Sequence, residues 1–210
     1  MARLLPRQFA PPPPPTTPKL INHHIVWGLC LTAGARAPTR AMSPPELLGL
    51  LTANCISMTL GHGTFCVLND IIDARIDAKI ARTKTRPIPS GRISRYGAFA
   101  EFCALLLFTS VISYGLLGRF AFALTIPSQL VSAVYPFAKR VLPWPQFVLA
   151  PACAWPMFVG AASVVGREGF GDAVKGLLPL YLAFCLWVIS FDSLYALQVC
   201  TPAPRRRDVC

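Results

Sequence analysis

The sequence predicts an all-α, multi-pass transmembrane helical bundle, and three observations carry that prediction. Of its 210 residues, 54% are hydrophobic and only 14% are charged, where soluble domains carry about a quarter charged residues; mean hydropathy is +0.51. The apolar residues are gathered into runs long enough to cross a bilayer, which takes about 20 residues each. The charges are confined to short segments between those runs, so the net charge of +11 reads as membrane-loop charge. An ordinary globular domain is excluded, and no nucleic-acid partner is expected. Eight cysteines, at 30, 55, 66, 103, 153, 185, 200 and 210, form no CxxC pair and lie mostly in apolar runs. There they behave as small hydrophobes, with neither a disulfide framework nor a zinc site.

Residues 1–20, MARLLPRQFAPPPPPTTPKL, contain five consecutive prolines and read as a disordered tail, neither a helix nor a signal-peptide core. The first acidic residue is Glu46, which raises a mitochondrial address, but the proline run argues against an amphipathic transit helix. Segment 21–35 is short and holds Asn22, His23 and His24; the two histidines point to different faces and read as interfacial. Five segments then have the length of a crossing: 47–68, 96–117, 120–138, 146–165 and 176–198. With the first, that makes about six crossings. Pro127, Pro151 and Pro156 fall inside them, which membrane helices tolerate. Trp144, Trp155 and Trp187 read as belt or packing residues. His62, between Gly61 and Gly63, reads as a close helix contact through the glycines. Cys210 is the last residue, so RDVC is not a CaaX box.

If the first segment crosses, fifteen of the twenty Lys and Arg fall on the side of the N-terminus, stretch 69–95, Lys139–Arg140 and the C-terminus, and five on the other. That excess places the basic stretch in the cytoplasm.

Where the 47–68 segment meets the basic stretch, Asp70, Asp73 and Asp77 are spaced i, i+3, i+7, so on a helix all three carboxylates share one face, with Asn69 beside them. Such a stripe repels itself unless a cation neutralises it, and oxygen ligands without His or Cys suit Mg²⁺, which completes its shell with water and phosphate oxygens. Lys79, Arg82, Lys84 and Arg86 follow at once, placed to contact phosphate; the alternative is ordinary loop charge. Tyr135, Lys139 and Arg140, in VYPFAKR, reach the same membrane face, and Asp192 lies near the same end of the last segment. Two acidic groups and basic residues facing one chamber would hold a diphosphate.

NDIIDARIDAKIARTKTRPIPSGRIS resembles the first aspartate-rich motif of the UbiA-type intramembrane prenyltransferases. VYPFAKRVLPWPQFVLAPACAWPMFVG resembles that family's tyrosine–lysine loop and following helix, and FDSLYALQ the opening of its second aspartate-rich motif. The resemblance covers about 47–198 and extends to the 4-hydroxybenzoate polyprenyltransferases, with the fungal meroterpenoid branch favoured. It implies Mg²⁺-dependent transfer of a prenyl group from its diphosphate to an aromatic acceptor inside a lipid bilayer. Carried over by motif position, Asn69, Asp70, Asp73, Asp77 and Asp192 are metal ligands, the four aspartates being the catalytic set. Arg82, Arg86, Lys139, Tyr135 and Tyr195 contact the diphosphate.

The pattern departs from the family at Val199, where the next motif aspartate is expected, and CTPAPRRRDVC follows. The expected organisation is therefore a Pro-rich tail (1–20), a truncated membrane domain (21–198, about six crossings against about nine) and a non-family polar tail (199–210), with little or no activity of its own. The favoured reading is farnesylation of a phenolic acid in secondary metabolism, in an endomembrane. Against it stand 4-hydroxybenzoate polyprenylation in the mitochondrial inner membrane, and an inactive paralogue. A transporter fits less well, since the acids sit at a helix end and no internal repeat is visible.

Overall fold

The computed structural model describes residues 17–36, 41–79 and 83–200, without the side chains of 17–22 and 195–200. Among the described residues the chain forms helices and turns and no strand: α1 (Thr17–Arg36), α2 (Pro44–Asp77), α3 (Arg95–Ala123), α4 (Ile126–Val141), α5 (Gln146–Ala154), α6 (Pro156–Val165) and α7 (Phe170–Cys200). Four stretches are long and apolar enough to cross a membrane: α2, α3, the α5–α6 rod Gln146–Val165, and Phe170–Leu194 of α7. The chain is an integral membrane protein. α1 packs on α6 and α2, and α4 on α2 and α5.

Two expectations are corrected here. α1 begins at Thr17, so Thr17–Leu20 are helical and not part of a tail; Pro18 falls in the first turn, where a missing N–H breaks no helical bond. Residues 1–16 lie outside the described residues, as do 201–210. The expected crossing at 120–138 is divided, because α3 runs on past a kink at Gly118 (φ 73°, ψ 169°) to Ala123. The turn falls at Leu124–Thr125, where the Thr125 hydroxyl donates to Phe122 O (2.8 Å). That leaves α4 with 16 residues, about 24 Å of helix, short of the roughly 30 Å hydrocarbon core.

Ser43 caps α2 by accepting from the Glu46 N–H (3.4 Å), with Pro in the first turn, a standard start that also puts Glu46 at the positive end of the helix dipole. At 34 residues, α2 is about 50 Å long. It therefore overruns the hydrocarbon core, and its last turns lie at the membrane edge.

The interior is packed through small residues, and large apolar side chains point outward: Leu107, Leu130, Leu186 and Val141 are all exposed, as lipid-facing positions are. The tightest contact is α1 on α6. A Cβ on Gly28 would stand 2.1 Å from Met157 O, and one on Gly160 2.8 Å from Ile25 O, so the two backbones touch, the close approach that small residues permit in membranes. Polar pairs join the other helices: the Thr64 and Thr109 hydroxyls meet at 3.1 Å between α2 and α3, and Asn54 Nδ2 donates to Ser163 Oγ (3.1 Å) between α2 and α6.

The α5–α6 rod breaks at Trp155 because Pro156 has no N–H to continue the ladder. Side-chain hydrogen bonds tie the region of the break to its neighbours. His24 Nδ1 donates to Cys153 O (2.7 Å), Tyr181 OH to Pro151 O (3.3 Å), which also accepts the Trp155 N–H, and the Trp155 indole donates to Leu124 O (2.6 Å). In lipid polar groups must find partners within the protein. His24 is therefore not interfacial: it is fully buried, with its Nδ1 held by the Cys153 carbonyl. Trp155 is a packing residue of the same break.

Candidate active site

One end of the bundle gathers the C-terminal ends of α2, α4 and α7. The opposite end brings Arg36 of α1 to Val164 O of α6 (3.3 Å). α2 closes with the Ala78 N–H on Ala74 O. The Thr83 hydroxyl, buried, then donates to Asp77 O (3.0 Å) and folds the chain back over the helix end. A short turn follows, with Arg86 N–H on Thr83 O, Gly91 at φ 77°, and Arg92 donating to Thr85 O. This turn lays Arg86 across the acidic stripe.

Arg86 Nη1 reaches Asp70 Oδ1 at 2.7 Å and Asp77 Oδ2 at 3.1 Å, one guanidinium bridging carboxylates two turns apart. Between them, Asp73 is held from α4: Lys139 Nζ pairs with its Oδ2 and Arg140 Nη2 with its Oδ1 (3.1 Å). Lys139 also donates to Asn69 Oδ1 (3.1 Å), and Arg140 to Ile72 O (2.9 Å). Three carboxylates thus face three cations. Asp73 and Asp77 are buried and Asp70 is half-buried, whereas the Arg86 and Arg140 side chains keep 39% and 40% of their exposure, so two of the acids form a floor and the two arginines the rim above it.

α4 delivers its cations because its amphipathicity is inverted. Leu130, Val134, Phe137 and Val141 are exposed along one face, while Gln129, Ser132 and Lys139 lie on the sheltered side. Lys139 Nζ stands 5.8 Å from the Tyr135 ring centroid. Tyr135 lies within electrostatic range of both Asp73 and Asp192, and Cys153 within range of Asp192. The half-buried Asp192 of α7 lies in the neighbourhood of Tyr135, and a Gln146–Ser193 hydrogen bond (3.3 Å) ties α5 to α7 beside it.

Of the residues predicted from sequence, Asn69, Asp70, Asp73, Asp77, Arg86, Lys139 and Tyr135 are brought together, with Asp192 adjoining. Arg82 lies outside the described residues, and so does the side chain of Tyr195, although Tyr195 is on α7. Arg140, which sequence placed on this face without a role, pairs directly with Asp73; its adjacency to Lys139 was the available signal. Thr83 carried none. His62 Nε2 meets Cys66 Sγ (3.4 Å) and borders a cleft of about 50 Å³ with Gln129 and Ser132. A Cβ on Gly61 would be 4.0 Å from Gln129, and one on Gly63 would meet nothing, so the flanking glycines mark no tight helix contact.

Among the described residues no three His, Cys, Asp or Glu side chains converge to hold a metal as they stand, because each stripe carboxylate is turned to a cation of the chain itself. The donor chemistry does fit Mg²⁺: Asn69, Asp70, Asp73 and Asp77 offer only hard oxygens, and the stripe they form attracts positive charge.

The model of the UbiA prenyltransferase family matches residues 25–202. A polyprenyl transferase of Arthrobotrys oligospora is 41% identical over 82% of this chain and 46% of its own length. One from Penicillium terrestre is 38% identical over 82% and 53%. A 4-hydroxybenzoate octaprenyltransferase of Tolumonas auensis is 34% identical over 82% and 55%. The apo structure of a UbiA homologue from Aeropyrum pernix K1 superposes with a TM-score of 0.65 at 26% identity, covering 87% of this chain and 63% of that one. The chain spans about half the length of the curated relatives it matches. It belongs to the UbiA prenyltransferase family.

Proposed function

We propose that the chain serves Mg²⁺-dependent transfer of a prenyl group, farnesyl by preference, from its diphosphate to a phenolic acid in meroterpenoid secondary metabolism. The observation that supports it most is the acidic stripe of α2, with Asp73 and Asp77 buried, paired to Arg86, Lys139 and Arg140, in a chain whose relatives include fungal polyprenyl transferases. The basic stretch 69–95 faces the cytoplasm and the membrane is an endomembrane. Polyprenylation of 4-hydroxybenzoate is the second reading, favoured by the relative named for that activity.

In this mechanism Asn69, Asp70, Asp73 and Asp77, with Asp192 from α7, would hold Mg²⁺, which when bound would supply positive charge to neutralise the diphosphate oxygens. Arg86, Lys139 and Arg140 turn from carboxylate oxygens to diphosphate oxygens, acceptors of the same kind, so no cation is left bare during the exchange. Fixed on α4 and on the 83–94 turn, they stabilise the charge that develops as the allylic C–O bond breaks. The apolar helix faces keep water from the allylic cation until the ring carbon attacks.

The test is transfer in membranes carrying the full chain, with labelled farnesyl diphosphate, Mg²⁺ and a panel of phenolic acids that includes 4-hydroxybenzoate. Prenylated product that vanishes with EDTA supports the reading, and the acceptor used separates the two versions. No product with any acceptor overturns it in favour of the inactive paralogue.

A further inference from the structure

Arg86, Lys139 and Arg140 are taken up by Asp70, Asp73 and Asp77. Five other cations at this end of the bundle are not. Arg75, Lys79, Lys84, Arg92 and Arg95 are all exposed, and none of them forms an ion pair among the described residues. Lys79 and Lys84, which the sequence sets close to Arg86, do not turn to the acids with it. We propose that these five side chains, around the connection from α2 to α3, form a docking patch for the headgroups of anionic phospholipids.

The patch is distinct from the acidic stripe. Two residues past Asp73, Arg75 leaves α2 about 200° around the helix from it, behind the carboxylates. α3 completes the patch. The Thr64 and Thr109 hydroxyls meet at 3.1 Å, and the Phe65 and Phe102 rings meet edge-on at 6.1 Å. That antiparallel register sets Arg95, the first residue of α3, level with the last turns of α2. Arg92 is steadied in the turn before it by donating to Ser90 Oγ (3.2 Å).

The class of anion follows from what surrounds the charges. Ile76, Ile93, Tyr96 and Phe99 are exposed beside them, Tyr96 at 91%. An anion free in water gains nothing from such neighbours. At a membrane surface they enter the headgroup zone, while the Lys and Arg side chains reach out to phosphate. α2 overruns the hydrocarbon core, so this end stands at the depth of the headgroups. Arg95 adds a reason of its own. It opens a helix with no acid in its first turn, where its charge meets the positive end of the helix dipole, and a nearby anion relieves that repulsion. Clustered cations at a membrane edge are what an anionic leaflet attracts.

The probes are spin-labelled phosphatidylserine and phosphatidylcholine, with the full chain reconstituted in phosphatidylcholine membranes. The share of each label held still by the protein gives their relative association, and labelling both leaflets makes the chain's orientation immaterial. Phosphatidylserine should associate at least about threefold more strongly at low salt. The ratio should approach one in 1 M NaCl, where the Debye length falls to about 3 Å. Arg75→Gln/Lys79→Gln/Arg95→Gln should also bring it close to one. None of these three side chains has an ionic partner to lose, so circular dichroism should not change; Arg95→Gln alone, which should lower the ratio in part, is the second variant should the triple one not fold. Arg119→Gln/Arg167→Gln, which removes exposed cations elsewhere, should leave the ratio as it is. Equal association of the two lipids, a ratio untouched by the patch variants, or one lost with Arg119 and Arg167 instead overturns the patch. Prenyl transfer enters none of these readouts, so the patch and the proposed function stand or fall separately.

Discussion

The acidic end of α2 and the α1–α6 contact are both tightly packed, and they are built on opposite principles. At α2, Asp70, Asp73 and Asp77 are matched by cations from a turn and from another helix. Every one of those bonds can be exchanged for a bond to a ligand oxygen or a metal. At α1–α6, Gly28 and Gly160 lie against backbone atoms of the facing helix, and nothing there can be exchanged. The first region is arranged to change partners; the second holds the frame that keeps α5, and hence Cys153 and the wall beside Asp192, in place.

Mutations break this contrast in a definite order. Gly28→Ala should act most strongly, because its Cβ would enter Met157 O, which is backbone and cannot swing aside. Over-packing costs of about 3 kcal/mol should appear as a large fall in thermal midpoint in detergent, with folded protein scarce. Gly63→Ala is the control: its Cβ would meet nothing within 4 Å, and the midpoint should hold or rise, since Ala is the better helix former by up to about 1 kcal/mol.

Asp73→Asn comes next and should spare the fold more than the function. It weakens the attachment of both Lys139 and Arg140, whose side chains reach solvent, so the helices should stay folded by circular dichroism. Transfer should fall about 10²–10³-fold, the scale for one preorganised electrostatic group. Arg86→Gln should cost less, about tenfold in transfer, since Arg86 is one of three cations that face the acids. Lys175→Ala should do nothing measurable to midpoint or transfer: its pair with Asp172 is 80% and 88% exposed, and such surface pairs contribute little.

The legible parts of the molecule were those written in local spacing. The i, i+3, i+7 aspartates declare a single helix face, and α2 does carry them on one helix through Asp77. The apolar runs at 146–165 and 176–198 declare their helices, whose membrane-length stretches are Gln146–Val165 and Phe170–Leu194. What stayed hidden depends on contacts far apart in sequence. Which cation serves which carboxylate is decided by how α4 docks on α2, 66 residues apart for Lys139 and Asp73, and no local pattern encodes it. His24 looked interfacial because two adjacent histidines in a weak apolar segment normally reach for water. It is buried with its Nδ1 on a carbonyl 129 residues away, a contact no local pattern shows. Gly28 and Gly160 form no motif with each other in one segment, so their contact was equally invisible. The boundary between the expected segments 96–117 and 120–138 was misplaced because Gly118 kinks α3 and lets it continue to Ala123.

The central claim is that the α2 floor and its rim bind a metal–diphosphate. Its most direct test is the affinity of the full chain in nanodiscs for farnesyl diphosphate, measured with Mg²⁺ and with EDTA, for the wild type and Asp73→Asn. Saturable binding that needs Mg²⁺ and weakens about 10²-fold or more in the variant is the predicted result. Binding of equal strength with EDTA, or unchanged by Asp73→Asn, would contradict it.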